Sequence, residues 1–326
     1  MSTVLQVQNL RVRFRVMSGL RAKLAGVADP FIDAVRDASF SIGEGETFTL
    51  VGESGSGKST LALAVAGLLK PAEGAIDFFG QRVNEMDDEK LQAYRRQISY
   101  MWQNPVGSLS PRQSVGSLIT EPYIVHGLKE RDLKSEALRL LKMVGLPDHF
   151  TTRYPHQLSG GQARRVGVAR ALALNPKLII ADEPTAGLDV SVQGEILNLL
   201  NRLQDDMGIS MFVITHNLNI VRHISHRTAI MYMGRFVEQG PTDDIFAAPR
   251  HPYTLALLSA NPEPDPDASI ERTELKGELP SLMNRPSGCE FHTRCPFVEG
   301  RCNHDVPDEF SVSAGHTLTC HFPRTA

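Results

Sequence analysis

The run Gly52-Glu53-Ser54-Gly55-Ser56-Gly57-Lys58-Ser59 fits the pattern G-x-x-x-x-G-K-[S/T]. Its chemistry is phosphate binding. Glycines let backbone N–H groups turn toward a β-phosphate, and a following helix adds positive potential. Lys58 neutralises β- and γ-phosphates and Ser59 ligates Mg2+, with Ser54, Ser56 and Thr60 completing the candidate contact set. A chance glycine turn would match in about one chain in a hundred at this composition. Here the run also sits between a strand-like and a helix-like segment, as the motif requires.

Leu178-Ile179-Ile180-Ala181-Asp182-Glu183 puts two carboxylates at the end of an apolar strand, where ligand sites of open α/β sheets lie. Asp182 suits Mg2+, directly or through water, and Glu183 suits a general base for an attacking water. Many strands simply stop at charged residues, so this pair gains its weight from the phosphate motif. Ser159-Gly160-Gly161-Gln162, after Leu158 and before a helix running through Ala173, offers a second anion site: N–H groups and a helix dipole suited to a γ-phosphate. Alone it would read as a glycine-containing helix cap.

These groups need a scaffold. The stretch Leu5 to Phe14 alternates like a half-buried strand, and Ala38 to Ile42 reads as a second. Between them an insertion at about 15–33, with Gly19, Gly26 and Pro30, reads as an elaborated hairpin connection. A strand at Glu46 to Val51, the glycine loop and a helix from Lys58 to Leu69 form the phosphate-binding unit. From about Pro105 to Leu158 the pattern is helical. Leu178–Ala181 and Met211–Ile214 are continuous apolar runs, as in parallel strands covered on both faces. After Asp243 come Pro252, Pro262, Pro264, Pro266, Pro280 and Pro286, and then all four cysteines, which marks a separate extension. The fold class is therefore α/β, divided as residues 1–245, with a helical subdomain at about 105–158, and residues 246–326.

With 326 residues and 41% hydrophobic content the chain can bury a substantial core. A formal net charge of −3 gives no bulk attraction to nucleic acid or anionic lipid. Leu61 to Leu69 is far short of the roughly 20 apolar residues a membrane span needs, and the amino terminus lacks a secretory pattern. The expectation is a cytoplasmic chain. No internal repeat appears, so there is one nucleotide cassette per chain.

The phosphate loop, Gln103, LSGGQ, the Ala181-Asp182-Glu183-Pro184 strand end and His216, in that order, resemble the ABC ATPase family over about Leu5 to Gly240. The resemblance implies ATP and Mg2+ as cofactors and a head-to-tail dimer, in which Ser159, Gly160, Gly161 and Gln162 complete the partner's site. It further implies that Gln103 touches Mg2+ and the attacking water, that His216 contacts the γ-phosphate, and that Asp189 crosses the dimer interface. Phe14 is the candidate for stacking on adenine, with Phe31 its rival. Ala186-Gly187 and Ala163-Arg164 depart from commoner family residues, and neither removes a catalytic group.

Gln103-Asn104-Pro105, Ser108-Leu109-Ser110-Pro111-Arg112, Glu121-Pro122, His251-Pro252-Tyr253-Thr254 and Pro286 to Pro296 resemble the oligopeptide, dipeptide and nickel importer subfamily. That implies an ATP-hydrolysing subunit on the cytoplasmic face of the inner membrane. Its partners would be a second cassette, identical or homologous, two transmembrane permease subunits and, indirectly, a solute-binding protein. Peptide is the implied cargo, nickel or an oligosaccharide the alternative. A soluble, non-transport ABC ATPase is the reading from another class, though it usually shows tandem cassettes, coiled coils or basic tracts. Cys289, Cys295, Cys302 and Cys320 suffice for one four-thiolate site. The readings are an iron–sulfur cluster, which some subfamily members carry as [4Fe-4S], zinc, or four reduced thiols. His292, His304 and His321 are possible substitute ligands or surface residues.

Overall fold

The computed structural model describes residues 2–17, 30–104, 107–128, 131–260, 275 and 277–324. Its strands are β1 (Thr3–Arg15), β2 (Phe31–Gly43), β3 (Thr47–Val51), β4 (Glu73–Phe78), β5 (Gln81–Arg82), β6 (Ile98–Met101), β7 (Leu178–Asp182), β8 (Ser210–Thr215), β9 (Arg227–Tyr232), β10 (Arg235–Pro241), β11 (Glu309–Ser313) and β12 (His316–Thr319). Its α-helices are α1 (Lys58–Val65), α2 (Asp88–Gln97), α3 (Val115–Val125), α4 (Leu133–Met143), α5 (Gly160–Leu172), α6 (Val190–Met207), α7 (Leu218–Ile224), α8 (Thr242–Ala247) and α9 (Pro252–Ser259).

The alternation at 5–14 becomes β1, which buries Leu5, Val7, Leu10 and Val12. Asn9, at φ 46, inserts a bulge that shifts the register between Val7 and Leu10. β2 begins at Phe31 rather than Ala38, because its outer half pairs back onto β1, with Arg15 opposite Phe31. The hairpin reading of the insertion thus holds at its base, where the Val16 N–H donates to the Pro30 carbonyl at 2.8 Å; Gly19 and Gly26 lie outside the described residues.

Two sheets form: an antiparallel one in the order β2-β1-β4-β5, and a larger one in the order β11-β12-β10-β9-β3-β8-β7-β6. From β9 to β6 all pairs of the larger sheet are parallel. β3, β7 and β8 are buried along their whole length, as parallel strands covered on both faces must be. Phe40 of β2 stacks on Phe48 of β3 with centroids 4.7 Å apart, locking the two sheets face to face. On the other face, α3 to α6 share a core with Ile179, Met211 and Val213.

The helix after the glycine loop ends at Val65, short of Leu69, because Gly67 turns left-handed at φ 68. The helical segment starts at Val115, capped by Ser114, and Pro105 lies outside the described residues. The carboxy-terminal extension does not stand apart. β12 pairs with β10, Glu238 opposite Leu318, so its hairpin continues the main sheet. Buried Glu238 accepts from the Arg250 and His251 N–H groups, both at 3.0 Å, and lies 2.9 Å from His316 Nε2. Tyr232, Tyr253 and Phe291 pack ring to ring beside it. Pro262, Pro264 and Pro266 lie outside the described residues.

Candidate nucleotide site

β3 delivers the chain into the glycine loop at the carboxyl edge of the parallel sheet, and α1 leaves from it. Gly57, at φ 103, sits where a Cβ would overlap the Ala34 carbonyl oxygen; at Gly52 a Cβ would come 2.8 Å from Ser56 Oγ and overlap the Met231 carbonyl oxygen. Only glycine fits either place. Ser56 is fully buried beneath the loop.

A cavity of about 640 Å3 opens over this loop. It brings together Gly52, Ser54, Gly55, Gly57, Lys58, Ser59 and Thr60 with Gln103, Asp182, Glu183 and His216, four residues from three other strand ends. Lys58 Nζ donates to the carbonyls of Gly52 (2.7 Å) and Glu53 (2.8 Å), which aims the ammonium along the loop. Burial holds its pKa below the ordinary lysine value, while Glu183, Asp182 and Glu53 pull the other way. The positive charge therefore sits in a poorly solvated pocket, where it attracts anions strongly.

The two carboxylates diverge, because β7 ends at Asp182 and Glu183 turns out of it. Asp182 Oδ2 accepts from Tyr100 OH at 3.0 Å. Glu183 leaves the strand at φ 51, which turns its carboxylate to His216: Oε1 lies 2.6 Å from Nδ1 and accepts from the His216 N–H at 3.2 Å, and Thr215 Oγ1 donates to Oε2 at 3.3 Å. A left-handed non-glycine residue held in this way is stored strain at a polar site.

Other expected residues lie elsewhere. Ser159 caps α5 and accepts from the Gln162 N–H, while Gln162 Oε1 accepts from the Ser159 N–H at 3.0 Å. Gly160 and Gly161 face the start of α6, where Asp189 caps the helix by accepting from the Val192 N–H at 2.9 Å. None of these five lines the cavity over the loop of the same chain. Nor do Phe14 and Phe31, which sit partly exposed on the β1–β2 hairpin.

Sequence reasoning missed Tyr100, Thr215, Ala34 and the aliphatic lining residues Leu257 and Leu282. It noted Arg164 only as a departure. Arg164 is buried and donates to the carbonyls of Trp102, Gln103 and Ala186 at 3.0–3.2 Å, tying the segment of Gln103 to the segment before Asp189. Burial pushes its guanidinium down to about 10, still charged at neutral pH.

Among the described residues no three His, Cys, Asp or Glu side chains are placed to hold a metal ion. Cys289 and Cys302 are buried in the aromatic and aliphatic cluster beside Tyr253. Burial raises the Cys289 thiol to about 11 and the Cys320 thiol to about 12, and holds Cys295 up as well. The thiols lie near enough for their charges to interact. His292 Nδ1 lies 2.8 Å from the Cys289 carbonyl and His321 Nε2 2.8 Å from that of Asp305, so these rings are engaged with backbone.

The solved structures that this chain resembles are nucleotide cassettes. A dimeric ATP-binding cassette in a post-hydrolysis state with ADP and Pi matches at TM-score 0.63 and 31% identity, over 73% of this chain and 98% of that one. CbiO1 of Clostridium perfringens, part of the cbiONQ transporter complex, matches at TM-score 0.63 and 28% identity, over 76% and 92%. The ABC transporter family model matches residues 35–186, and the model for the carboxy-terminal region of oligopeptide/dipeptide transporters matches 237–302. The oligopeptide transport ATP-binding protein AppF of Bacillus subtilis is 43% identical over 98% of this chain and 97% of its own length. The chain belongs to the ABC transporter ATP-binding family, in its oligopeptide/dipeptide branch, and is an ATPase by that membership. None of the described helices is long and apolar enough to cross a membrane.

Proposed function

We propose that this chain is the ATP-hydrolysing motor of a peptide importer. The observation that carries the reading is the match of 237–302 to the oligopeptide/dipeptide transporter carboxy-terminal region, which distinguishes this chain from a generic cassette. The name of AppF supports peptide as the cargo class. The chain would work at the cytoplasmic face of the membrane, paired with a second cassette and docked on two permease subunits, with residues 1–245 as the nucleotide domain and 246–326 as its extension.

The side chains present fit ATP with Mg2+: a glycine cradle that a Cβ would fill, a desolvated lysine and two strand-end carboxylates. Bound Mg2+ would supply neutralisation of phosphate charge. Ser59, Asp182 and Gln103 are the residues that would hold it, and Tyr100 keeps Asp182 oriented. Lys58 binds the β- and γ-phosphates. Glu183 orients the attacking water and takes its proton. His216, fixed through Nδ1 by Glu183, keeps its other nitrogen for the γ-phosphate. Gly160, Gly161 and the capped start of α5 form an anion site for the opposite cassette's nucleotide, with Asp189 at the seam. Phe14 is the proposed adenine platform. Arg164 couples the Gln103 and Asp189 segments mechanically, because both hang on one guanidinium.

A four-thiolate [4Fe-4S] or zinc site at the cysteines would require the side chains to turn toward one centre. Metal analysis after anaerobic purification decides this: about four irons with sulfide per chain support the cluster, one zinc supports the alternative, and neither leaves buried reduced thiols. For the function itself, the chain is co-purified with the permease and solute-binding proteins encoded beside it, and ATPase activity is recorded with and without peptide-loaded binding protein. Stimulation by peptide supports the reading. Stimulation only by nickel or an oligosaccharide reassigns the cargo, and full activity without any membrane partner supports a soluble ABC ATPase.

A further inference from the structure

The carboxy-terminal extension reaches the phosphate loop itself. Glu53, the second residue of the glycine motif, has its carboxylate gripped by Arg294: Nη1 donates to Oε1 at 3.0 Å and to Oε2 at 3.1 Å. The Arg294 side chain is 8% exposed and the Glu53 side chain 28%, so the cation is buried while the carboxylate still faces the cavity. The Glu53 N–H donates to Tyr253 OH at 3.1 Å, and Tyr253 is fully buried at the start of α9. On the loop's other side the Glu53 carbonyl accepts from Lys58 Nζ. Glu53 is thus held at its amide, its carbonyl and its carboxylate, and two of those three holds come from beyond residue 250.

Arg294 is held by β9 and by the extension itself: its guanidinium lies 5.9 Å over the Tyr232 ring, with Nε buried and unpartnered among the described residues, and its backbone N–H donates to the Phe291 carbonyl at 3.0 Å. Nearby, Arg285 Nη1 donates to Glu290 at 2.7 Å and to the Met233 carbonyl at 2.7 Å, and Nη2 donates to the Asp33 carbonyl, fixing the extension against β2. The electrostatic consequence is specific. A carboxylate in a loop built to bind a polyanion opposes its own function, and Arg294 cancels that charge.

We propose that Arg294 and Tyr253 are positioning residues of the ATP site, and that the carboxy-terminal extension sets nucleotide affinity by neutralising and holding Glu53. This rests on the reading of the loop as the ATP phosphate site. Loss of the guanidinium leaves a bare carboxylate beside the triphosphate, so ATP binding weakens while the reacting groups stay in place.

The test uses the full chain in its complex, with a fluorescent ATP analogue and Mg2+ for affinity and steady-state ATPase for rate. Arg294→Met keeps the apolar stem over Tyr232. It should raise Kd and KM about tenfold, with kcat within about twofold. Arg294→Lys, which keeps the charge, should stay within about threefold of the native chain. Adding Glu53→Gln to Arg294→Met should bring affinity back most of the way, and higher salt should shrink the defect. The proposal is overturned by an Arg294→Met variant that binds ATP like the native chain, or by a double variant no better than the single. A merely structural brace predicts the latter, together with an equal drop of kcat. Lys58→Ala serves as the separate check: if it leaves ATP binding intact, the loop reading itself falls, whatever Arg294 does.

Discussion

Gly161→Ala separates helix propensity from packing at the proposed second anion site. The residue lies in the first turn of α5, where alanine in place of glycine stabilises a helix by roughly 0.5–1 kcal/mol. Here the new Cβ would come 2.6 Å from Val192 Cγ1, about 1 Å inside ordinary carbon contact. Val192 is β-branched on a helix and confined to one rotamer, so it cannot swing aside, and relief requires α5 and α6 to separate by about that 1 Å. Overpacking of this kind costs roughly 1–3 kcal/mol. The two terms leave a net loss of roughly 0–2 kcal/mol, a melting shift of at most a few degrees. The activity cost is larger, because the separation falls between Ser159–Gln162 and Asp189, and a misplacement of about 1 Å costs on the order of 100-fold. The assay is kcat in the assembled complex beside the melting midpoint of the chain. Val192→Ala added to Gly161→Ala should return most of the rate. Gly194→Ala, in α6 with nothing within 4 Å of its Cβ, should stabilise slightly and leave the rate unchanged. Native activity in Gly161→Ala, or no recovery in the double variant, refutes the reasoning.

Glu183→Gln keeps volume and an acceptor for the His216 N–H, so melting should hardly move while kcat falls about 10²- to 10⁴-fold, measured by phosphate release. His251 is fully buried and burial pushes its imidazole down to about 3, so below pH 6.5 the unfolded chain takes up a proton that the folded chain refuses. Stability present above pH 6.5 should therefore drain away on acidification toward pH 3, on the order of 3 kcal/mol by pH 4. His251→Asn, which can still cap α9 at the Tyr253 N–H, should flatten that slope in melts across pH 4–7. Glu238→Ala orphans the buried His251 N–H, the half-buried Arg250 N–H and the His316 ring, with an expected loss of roughly 3–5 kcal/mol in denaturant melts. A loss below about 1 kcal/mol would show that β12 is not held through Glu238.

The sequence by itself determined the local units of chemistry. The G-x-x-x-x-G-K-[S/T] spacing is a local property, since strand, loop and helix adjoin in the chain; what enforces its glycines, the Ala34 and Met231 carbonyls, and what holds Glu53, Tyr253 and Arg294, come from elsewhere. The continuous apolar runs at Leu178–Ala181 and Met211–Ile214 likewise announced buried parallel strands, because strands covered on both faces leave no polar alternation. What the tertiary structure decided was non-local. Arg164 looks like an ordinary helix residue until the fold brings the Trp102, Gln103 and Ala186 carbonyls to its guanidinium. The proline-rich extension reads as an appendage, yet β12 lies on β10 and Arg294 sits 241 residues from the Glu53 it grips. The four cysteines share a short stretch, but the apolar surroundings that bury Cys289 and Cys302 come from α9 and the β9–β10 hairpin. Periodicity and motif spacing report contacts that the chain makes with its near neighbours. Pairings across hundreds of residues depend on which apolar faces bury against each other, and no local pattern encodes that choice.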